Sequence, residues 1–546
     1  MMEQLSFIPA QQGMYDLLTV PEASAWATQR VGRNVTASNI SYLIQYGRVR
    51  KLELGGSVRV SVSDLESYYD SYDGVREMNY KARLGEDINW TLSFSQVKEA
   101  ESTKHVHRLH PYKGKFIPQL VEYFIDGHVD NFKREAYFQA GDIILDPFSG
   151  SGTTMVQANE CGINAIGIDV SEFNALIANC KVARYDVADI KIEMNRITCA
   201  LREFIANSRI TEFENRLLAE LNRFNNEFFP VPDYKYRLRQ GEINEDAYGR
   251  EMEAHFMSTY NALVEEYGVK LRQDRESNFL EKWFSQQVRD EIDFVFERIN
   301  NIVNQKTKKI LAVVLSRTIR SCRATTHSDL ATLIEPVTNT YYCSKHGKIC
   351  KPLFSIAKWW ESYAKDTVAR LITFDHLRTQ TMQHCITGDS RSVDIIAALR
   401  ARDSQFAVQF ADMVAERKIN GIFSSPPYVG MIDYHEQHAY AYDLFGFKRH
   451  DESEIGPLFK GKGKEAQRSY VEGISQVLLN CKRFLAEGYN VFLVANDKHN
   501  LYPTIANNAG MQIVNTFRRP VLNRSEKDKA AYSETIFHLR ERVNGQ

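Results

Sequence analysis

The sequence predicts an α/β fold, and three observations carry that expectation. Residues 142–160 read DIILDPFSGSGTTMVQANE, a short apolar run, an acid, a Gly- and Ser-rich loop and a helical continuation, so a strand, a tight turn and a helix start follow one another. Asn164 to Val170 (NAIGIDV) is a second strand, ending in Asp169 about 20 residues after the loop. Ile422 to Tyr428 (IFSSPPY), Asn490 to Asn496, Gln512 to Phe517 and Glu534 to Leu539 supply later apolar strands.

At 546 residues the chain has room for two to four domains, at roughly 100–200 residues each. With 43% hydrophobic and 25% charged residues it has the balance of an ordinary globular protein, and neither a disordered chain nor a disulfide scaffold is indicated. The longest aliphatic stretch, Ile310 to Leu315, is far shorter than the roughly 20 apolar residues that span a bilayer, which excludes a spanning helix. Met1 to Ala10 carries Glu3 and no basic region ahead of an apolar run, so a cytoplasmic location is expected. Lys plus Arg total 68 against 69 Asp plus Glu, so any nucleic-acid reading rests on local patches and motifs.

Residues 1–75 form the first expected domain. In LLTVPEASAWATQRVGRNVTASNISYLIQYGRVRKLELGGSVRVSVSDLESYY, Thr19 is a plausible N-cap with Pro21 in the first turn. Thr36 or Ser38 can cap a second helix that ends at Gly47. Arg48 to Leu54 and Val58 to Val62, joined through Gly55-Gly56, read as a hairpin before a helix from Asp64. The segment resembles the winged helix-turn-helix of the excisionase and MerR-like families. That resemblance implies a helix around Ala37 to Gln45 in a major groove, with Arg48, Arg50, Lys51 and Arg59 near phosphates. A docking or dimerisation module is the other reading.

The glycine-rich loop lacks the GK[ST] of a phosphate-binding P-loop, so a nucleoside triphosphate is not the expected ligand. Gly150 and Gly152 let a ligand approach the backbone, and an acid such as Asp169 at a strand end can accept both hydroxyls of a ribose. In IFSSPPY the two prolines fix the backbone and hold the Ser425 carbonyl rigid, while Tyr428 offers a flat ring. Those parts suit a planar base with an exocyclic amine.

Together these motifs resemble the S-adenosylmethionine-dependent DNA amino-methyltransferases, which modify cytosine N4 or adenine N6, over about residues 105–190 and 380–546. The resemblance implies a Rossmann-like seven-stranded sheet, mainly parallel with one reversed strand. It implies a cofactor loop of Asp146, Phe148, Gly150, Gly152, Thr153 and Thr154, with Asp169 on the ribose. HPYKGKFIPQLVEYFI, His110 to Ile125, looks like the helix that seats the methionine moiety through Lys115 and Pro118, and ITGDS places Asp389 on the adenine amine. Ser425, Pro426, Pro427 and Tyr428 are the implied catalytic motif. Ser before Pro-Pro favours cytosine N4, with adenine N6 as the alternative and a DNA-binding regulator with an inactive core as a second class. The implied partners are double-stranded DNA with a flipped target base and a cognate restriction endonuclease.

The core is expected in two parts, 76–188 and 381–546, around a mainly helical insertion, 189–380, that can carry target recognition. Arg317, Arg320, Arg323 and, on the loop Lys448 to Arg468 and just before it ends, Lys460, Lys462, Lys464 and Arg468 are candidate phosphate contacts. Cys343, His346 and Cys350 stand close together in YYCSKHGKIC, with Cys322 as a conceivable fourth metal ligand. Ordinary buried thiols are the favoured reading, and no metal is assigned to the site.

Overall fold

A computed structural model describes residues 17–521 and 533–542, leaving out 33, 46, 55, 71–83, 85–87, 95–96, 98, 113 and 328–332. The Met1 to Ala10 segment and Gly55 therefore lie outside the described residues. The chain forms two compact units, one of residues 1–85, 209–270 and 324–352, the other of 86–208, 271–323 and 353–546. The stretch 189–380, read above as one insertion, is helical over most of its length and contributes to both units.

In the first unit, β1 (Leu17–Thr19) leads into a helix, Val20–Val31, where Thr19 and Glu22 cap each other reciprocally and Pro21 sits in the first turn. The second helix, Ala37–Gln45, opens on Thr36, whose N–H donates to Asn39 Oδ1 at 2.9 Å. β2 (Leu52–Leu54) and β3 (Ser57–Ser61) form the hairpin, and β3 also pairs with β1. The last helix, Val62–Tyr69, is capped by Ser61 rather than started by Asp64, whose carboxylate instead accepts from the Arg50 N–H at 3.0 Å. Ala23, Ala27, Ile40, Leu43, Val60 and Leu65 close a small apolar core. A short antiparallel hairpin, β6 (Tyr341–Cys343) with β7 (Lys348–Cys350), belongs to the same unit.

The second unit is built on a seven-stranded sheet. Its strands are β4 (Ile143–Asp146), β5 (Asn164–Asp169), β8 (Gln383–Thr387), β9 (Ile419–Ser424), β10 (Leu485–Ala495), β11 (Met511–Pro520) and β12 (Ser533–Glu541). The order is β11-β12-β10-β9-β4-β5-β8, with β12 antiparallel to both of its neighbours. The count and the single reversed strand are those the sequence predicts. Alternate residues serve two faces: Ile422, Val491 and Leu493 join the core with Ile474, Val477 and Leu478 of the helix Lys464–Lys482. Phe423 and Phe492 meet Phe124 of the helix Pro118–Ile125 on the other face, at ring-centroid distances of 5.7 and 5.1 Å. Burial on both faces is what makes these strands read as near-continuous apolar runs.

Gly421 marks how closely the central strands approach: a Cβ there would lie 2.0 Å from the Asn490 carbonyl oxygen, a backbone atom with nowhere to move. Gly421→Ala is expected to cost about 3 kcal/mol, the upper end for overpacking, read as a lowered urea midpoint at unchanged m-value.

Candidate functional site

Because β8, β5, β4 and β9 are neighbours and all run the same way, their carboxyl ends form one row. Sequence order reverses between β4 and β9, and open α/β sheets bind ligands at such a point. A pocket with about 910 Å³ of free space, part of it open to solvent, lies over that row. Lys115, Asp146, Phe148, Gly150, Thr153, Asp169, Asp389, Ser425 and Pro427 all line it. Five motif segments spread from residue 115 to residue 427 therefore meet at one place.

The loop after β4 is tied down by its two acids. Asp146 accepts from the Ser424 hydroxyl at 2.5 Å and from the Phe148 N–H at 3.2 Å. Asp169 accepts from the Gly150 N–H at 2.8 Å, the Ser171 N–H at 2.9 Å and the Asn174 amide at 3.1 Å. Burial raises both carboxyls to about 6, against the hydrogen bonds that pull them down. Both folded values lie above the ordinary carboxylate value of about 3.9. Their contribution to stability is thus fully present below about pH 4 and is lost as pH rises to about 6.

Gly150 sits at φ +49°, and a Cβ there would lie 2.9 Å from the Tyr112 ring, so the loop needs glycine at that position. Gly152 plays a different part, away from the pocket lining: a Cβ there would lie 2.8 Å from the Ala178 Cβ of the helix Glu172–Val182, so only glycine leaves room for that helix. Thr154 also stays off the lining, its hydroxyl donating to the Phe423 carbonyl at 3.5 Å. Pro118 is the first residue of its helix and does not line the pocket. The expected helix His110–Ile125 is helical only from Pro118, because a residue before proline is held extended, as Ile117 is. Lys115 lies on the preceding loop, donates to the His107 carbonyl at 2.8 Å and is lowered to about 8 by burial and by Arg108 and Arg370.

Asp389 lies two residues past β8 in the pocket, and Arg391 grips both of its oxygens, the shortest contact being 2.5 Å. Burial works to raise Asp389, but the Arg391 hydrogen bonds and charge hold it below the ordinary range. At the end of β9 the Ser425 hydroxyl donates to the Val494 carbonyl at 3.2 Å. Pro426 and Tyr428 are not on the lining. Tyr428 faces a neighbouring pocket shared with Tyr470, Tyr502, Asn496 and Lys462, and its hydroxyl donates to Glu534 at 2.9 Å. The Ser425–Tyr428 turn thus divides two cavities.

Residues the sequence reading missed complete the first pocket: Tyr112, Phe116, Ser151, Asn174, Tyr434, His435 and Glu454. Ser151 Oγ, Asn174 Oδ1 and Glu454 Oε2 are buried there without a hydrogen-bond partner in the protein. Burial raises the Glu454 carboxyl to about 7, with Asp451 and Asp433 adding to it against two backbone hydrogen bonds. Tyr112 and Phe116 fall inside the quoted HPYKGKF segment, whereas nothing near Glu454 in sequence marks it.

Two of the expected phosphate contacts are corrected. Arg317 is buried, paired with Asp366 at 2.6 Å and set over the Tyr363 ring at 4.0 Å. Arg323 is buried as well, donating to the Arg320 carbonyl at 2.8 Å. Lys460, Lys462, Lys464 and Arg468 are exposed. No described helix is long and apolar enough to cross a membrane.

A family profile described as DNA methylase (N6_N4_Mtase) matches residues 57–179. The type II methyltransferase M.MjaII of Methanocaldococcus jannaschii is 44% identical over 531 residues, covering 96% of this chain and 97% of that protein. M.BsoBI of Geobacillus stearothermophilus is 40% identical over 72 residues, 13% of each chain. M2.DpnII of Streptococcus pneumoniae is 35% identical over 105 residues, 19% of this chain and 32% of its own.

Proposed function

The chain belongs to the type II DNA methyltransferases of the N6/N4 amino-methyltransferase family, which use S-adenosylmethionine, and we propose that it methylates the N4 amine of cytosine in duplex DNA. Ser425 before Pro426-Pro427 is the observation that carries the base choice: family members acting on adenine usually have Asp there. Methyl transfer to DNA of known sequence, followed by nucleoside analysis, tests it. Label on cytosine N4 supports the reading, and label on adenine N6 replaces it while leaving the fold and cofactor site untouched.

The first pocket fits the cofactor. Its unpartnered polar atoms, on Ser151, Asn174, His435 and Glu454, await a ligand's own donors and acceptors, and Asp169 is placed at a strand end to accept from ribose hydroxyls. Asp146, Phe148, Gly150 and Thr153 shape the loop, with Gly152 and Thr154 packing it from behind. Lys115 seats the carboxylate end. Asp389 is neutralised by Arg391, whose backbone N–H, Nε and Nη2 donate to both of its oxygens, so the adenine amine takes its place there only as the two contacts from the shared Nε loosen. The cofactor supplies an electrophilic methyl group on a sulfonium sulfur.

The amine to be methylated is a weak nucleophile, its lone pair delocalised into the ring. The Ser425 backbone carbonyl, held by the prolines and by the bond from its own hydroxyl to Val494, accepts from that amine and draws the nitrogen toward sp³ character. The base reaches it only when flipped out of the duplex, stacked on Tyr428 in the second cavity. Orientation and fixed dipoles then account for most of the acceleration.

In the first unit the helix Ala37–Gln45 leaves Ser38, Ser41, Tyr42 and Gln45 on its exposed face, hydrogen-bonding side chains of the kind that read base edges. We assign DNA reading to it, with the exposed lysines Lys460, Lys462 and Lys464 near the phosphates. Replacing Ser38, Ser41 and Gln45 together by Ala is expected to lower specific DNA affinity at least tenfold and leave cofactor affinity unchanged. Because those contacts go to bases, the salt dependence of binding should stay the same. Unaltered DNA affinity at every salt concentration removes the helix from the interface. From the restriction setting of the type II relatives we further infer a partner endonuclease and a cytoplasmic location.

A further inference from the structure

We propose that the first compact unit holds a structural zinc ion between His327, Cys343, His346 and Cys350, a site that the methyl-transfer chemistry does not use. One ligand atom from each of the four lies within 4.8 Å of the others. Cys343 Sγ is 3.4 Å from His346 Nδ1 and 3.7 Å from His327 Nδ1, and Cys350 Sγ is 3.5 Å from His346 Nδ1. A tetrahedral zinc with Zn–S of about 2.3 Å and Zn–N of about 2.0–2.1 Å sets its sulfur and nitrogen ligands about 3.6 Å apart. The four groups thus stand at the separations such an ion imposes.

The local backbone is built to bring them there. His346 N–H and Gly347 N–H both donate to the Cys343 carbonyl, at 3.1 and 2.6 Å, and Gly347 takes φ +63°, folding Cys343 and His346 onto one side of the β6–β7 turn. Cys350 follows at the far end of β7, and His327 arrives from outside the hairpin, its ring edge-on to His346 with centroids 4.4 Å apart. The Tyr341 hydroxyl, 2.8 Å from His327 Nδ1, holds the ring toward the cluster and yields that nitrogen to the ion when the metal binds. Cys322, the sequence's fourth candidate, belongs to the other unit, and His327 takes its place.

Burial and size also favour a metal. Cys343 and Cys350 are buried free thiols. Two thiolates and two neutral imidazoles around Zn²⁺ make an uncharged centre, which can be buried without a residual charge. The cluster around the two thiols is small, Tyr341, Cys343 and Cys350 with Val337 against them, and the hairpin is held from outside by Asn225, whose side chain bonds both backbone groups of Ile349, so the cysteines are presented on a fixed frame. A closed site with four protein ligands is a structural one, and its energy is folding energy.

The test uses the full-length protein. Metal analysis after purification from zinc-supplemented cells should give about one zinc per chain, and Cys343→Ser/Cys350→Ser should lose it while still binding S-adenosylmethionine. Cobalt exchanged into the wild-type protein should give the intense d–d bands of a tetrahedral site together with thiolate charge-transfer absorption. The other group of this kind among the described residues, His105, His107 and Glu160, has no sulfur and cannot give that absorption. Should the double variant fail to fold, thiol titration of wild-type protein still decides: two thiols must become reactive only after chelation. Protein without zinc that takes up no cobalt, zinc retained in the double variant, or thiols indifferent to chelator each overturns the site.

Discussion

Asp169→Ala is expected to weaken S-adenosylmethionine binding by about 1–3 kcal/mol, roughly 5- to 150-fold, the scale of losing charge-assisted hydrogen bonds. The structure argues for the upper part of that range. The carboxylate would hold the ribose and, at the same time, it already accepts from the Gly150 and Ser171 N–H groups, so its loss also releases the glycine loop. Asp169→Asn keeps the shape but turns a donor toward one of those amides, and should lie between wild type and alanine. Calorimetry on folded protein reads both.

The same carboxyl sets a pH dependence. Burial brings it to about 6 in the free protein, and its protonated form accepts poorly from a hydroxyl. Affinity should therefore be flat above about pH 7 and fall by up to tenfold per pH unit below about 6. An unchanged affinity in a folded alanine variant takes Asp169 out of the cofactor site.

What the sequence made legible was local. Asp146, Gly150 and Asp169 are read from a strand, a turn and the next strand end, all within 24 residues, and no distant packing is needed to place them. Tyr112, Tyr434 and Glu454 come to the same pocket on loops far apart in the chain, and only the sheet order brings them together. Arg317 shows a misreading that helical periodicity corrects: it follows Ile310, Val313 and Val314 on the buried face of the helix Gln305–Ser321, so its charge meets Asp366 instead of solvent. His327 stands 16 residues before Cys343, outside any regular ligand spacing, whereas the cysteines around it invited a cysteine as the fourth partner. Gly152 was legible as a loop glycine, yet its reason lies in Ala178, a contact between helices that the motif does not reveal.

Tyr428→Ala is expected to lower turnover by about 1–3 kcal/mol of lost stacking, roughly 5- to 150-fold, while cofactor affinity stays that of the wild type. The two cavities give the reason for the separation. Tyr428 lies outside the pocket of Asp169 and Glu454, so removing its ring empties the base side of the Ser425–Tyr428 turn and leaves the other side as it was. Tyr428→Phe divides ring from hydroxyl: if stacking is the role, turnover stays near wild type, and a loss equal to that of alanine would assign the work to the Glu534 bond that orients the ring. Pro426→Gly acts through the backbone. It should be more damaging than Ser425→Ala, since the serine variant loses only the bond to Val494 and keeps the carbonyl that accepts from the amine. Methyl transfer from labelled cofactor under single-turnover conditions separates chemistry from release. Full activity in both Tyr428→Ala and Pro426→Gly would sink the assignment of this turn to catalysis, because neither the stacking surface nor the rigid carbonyl would then be needed.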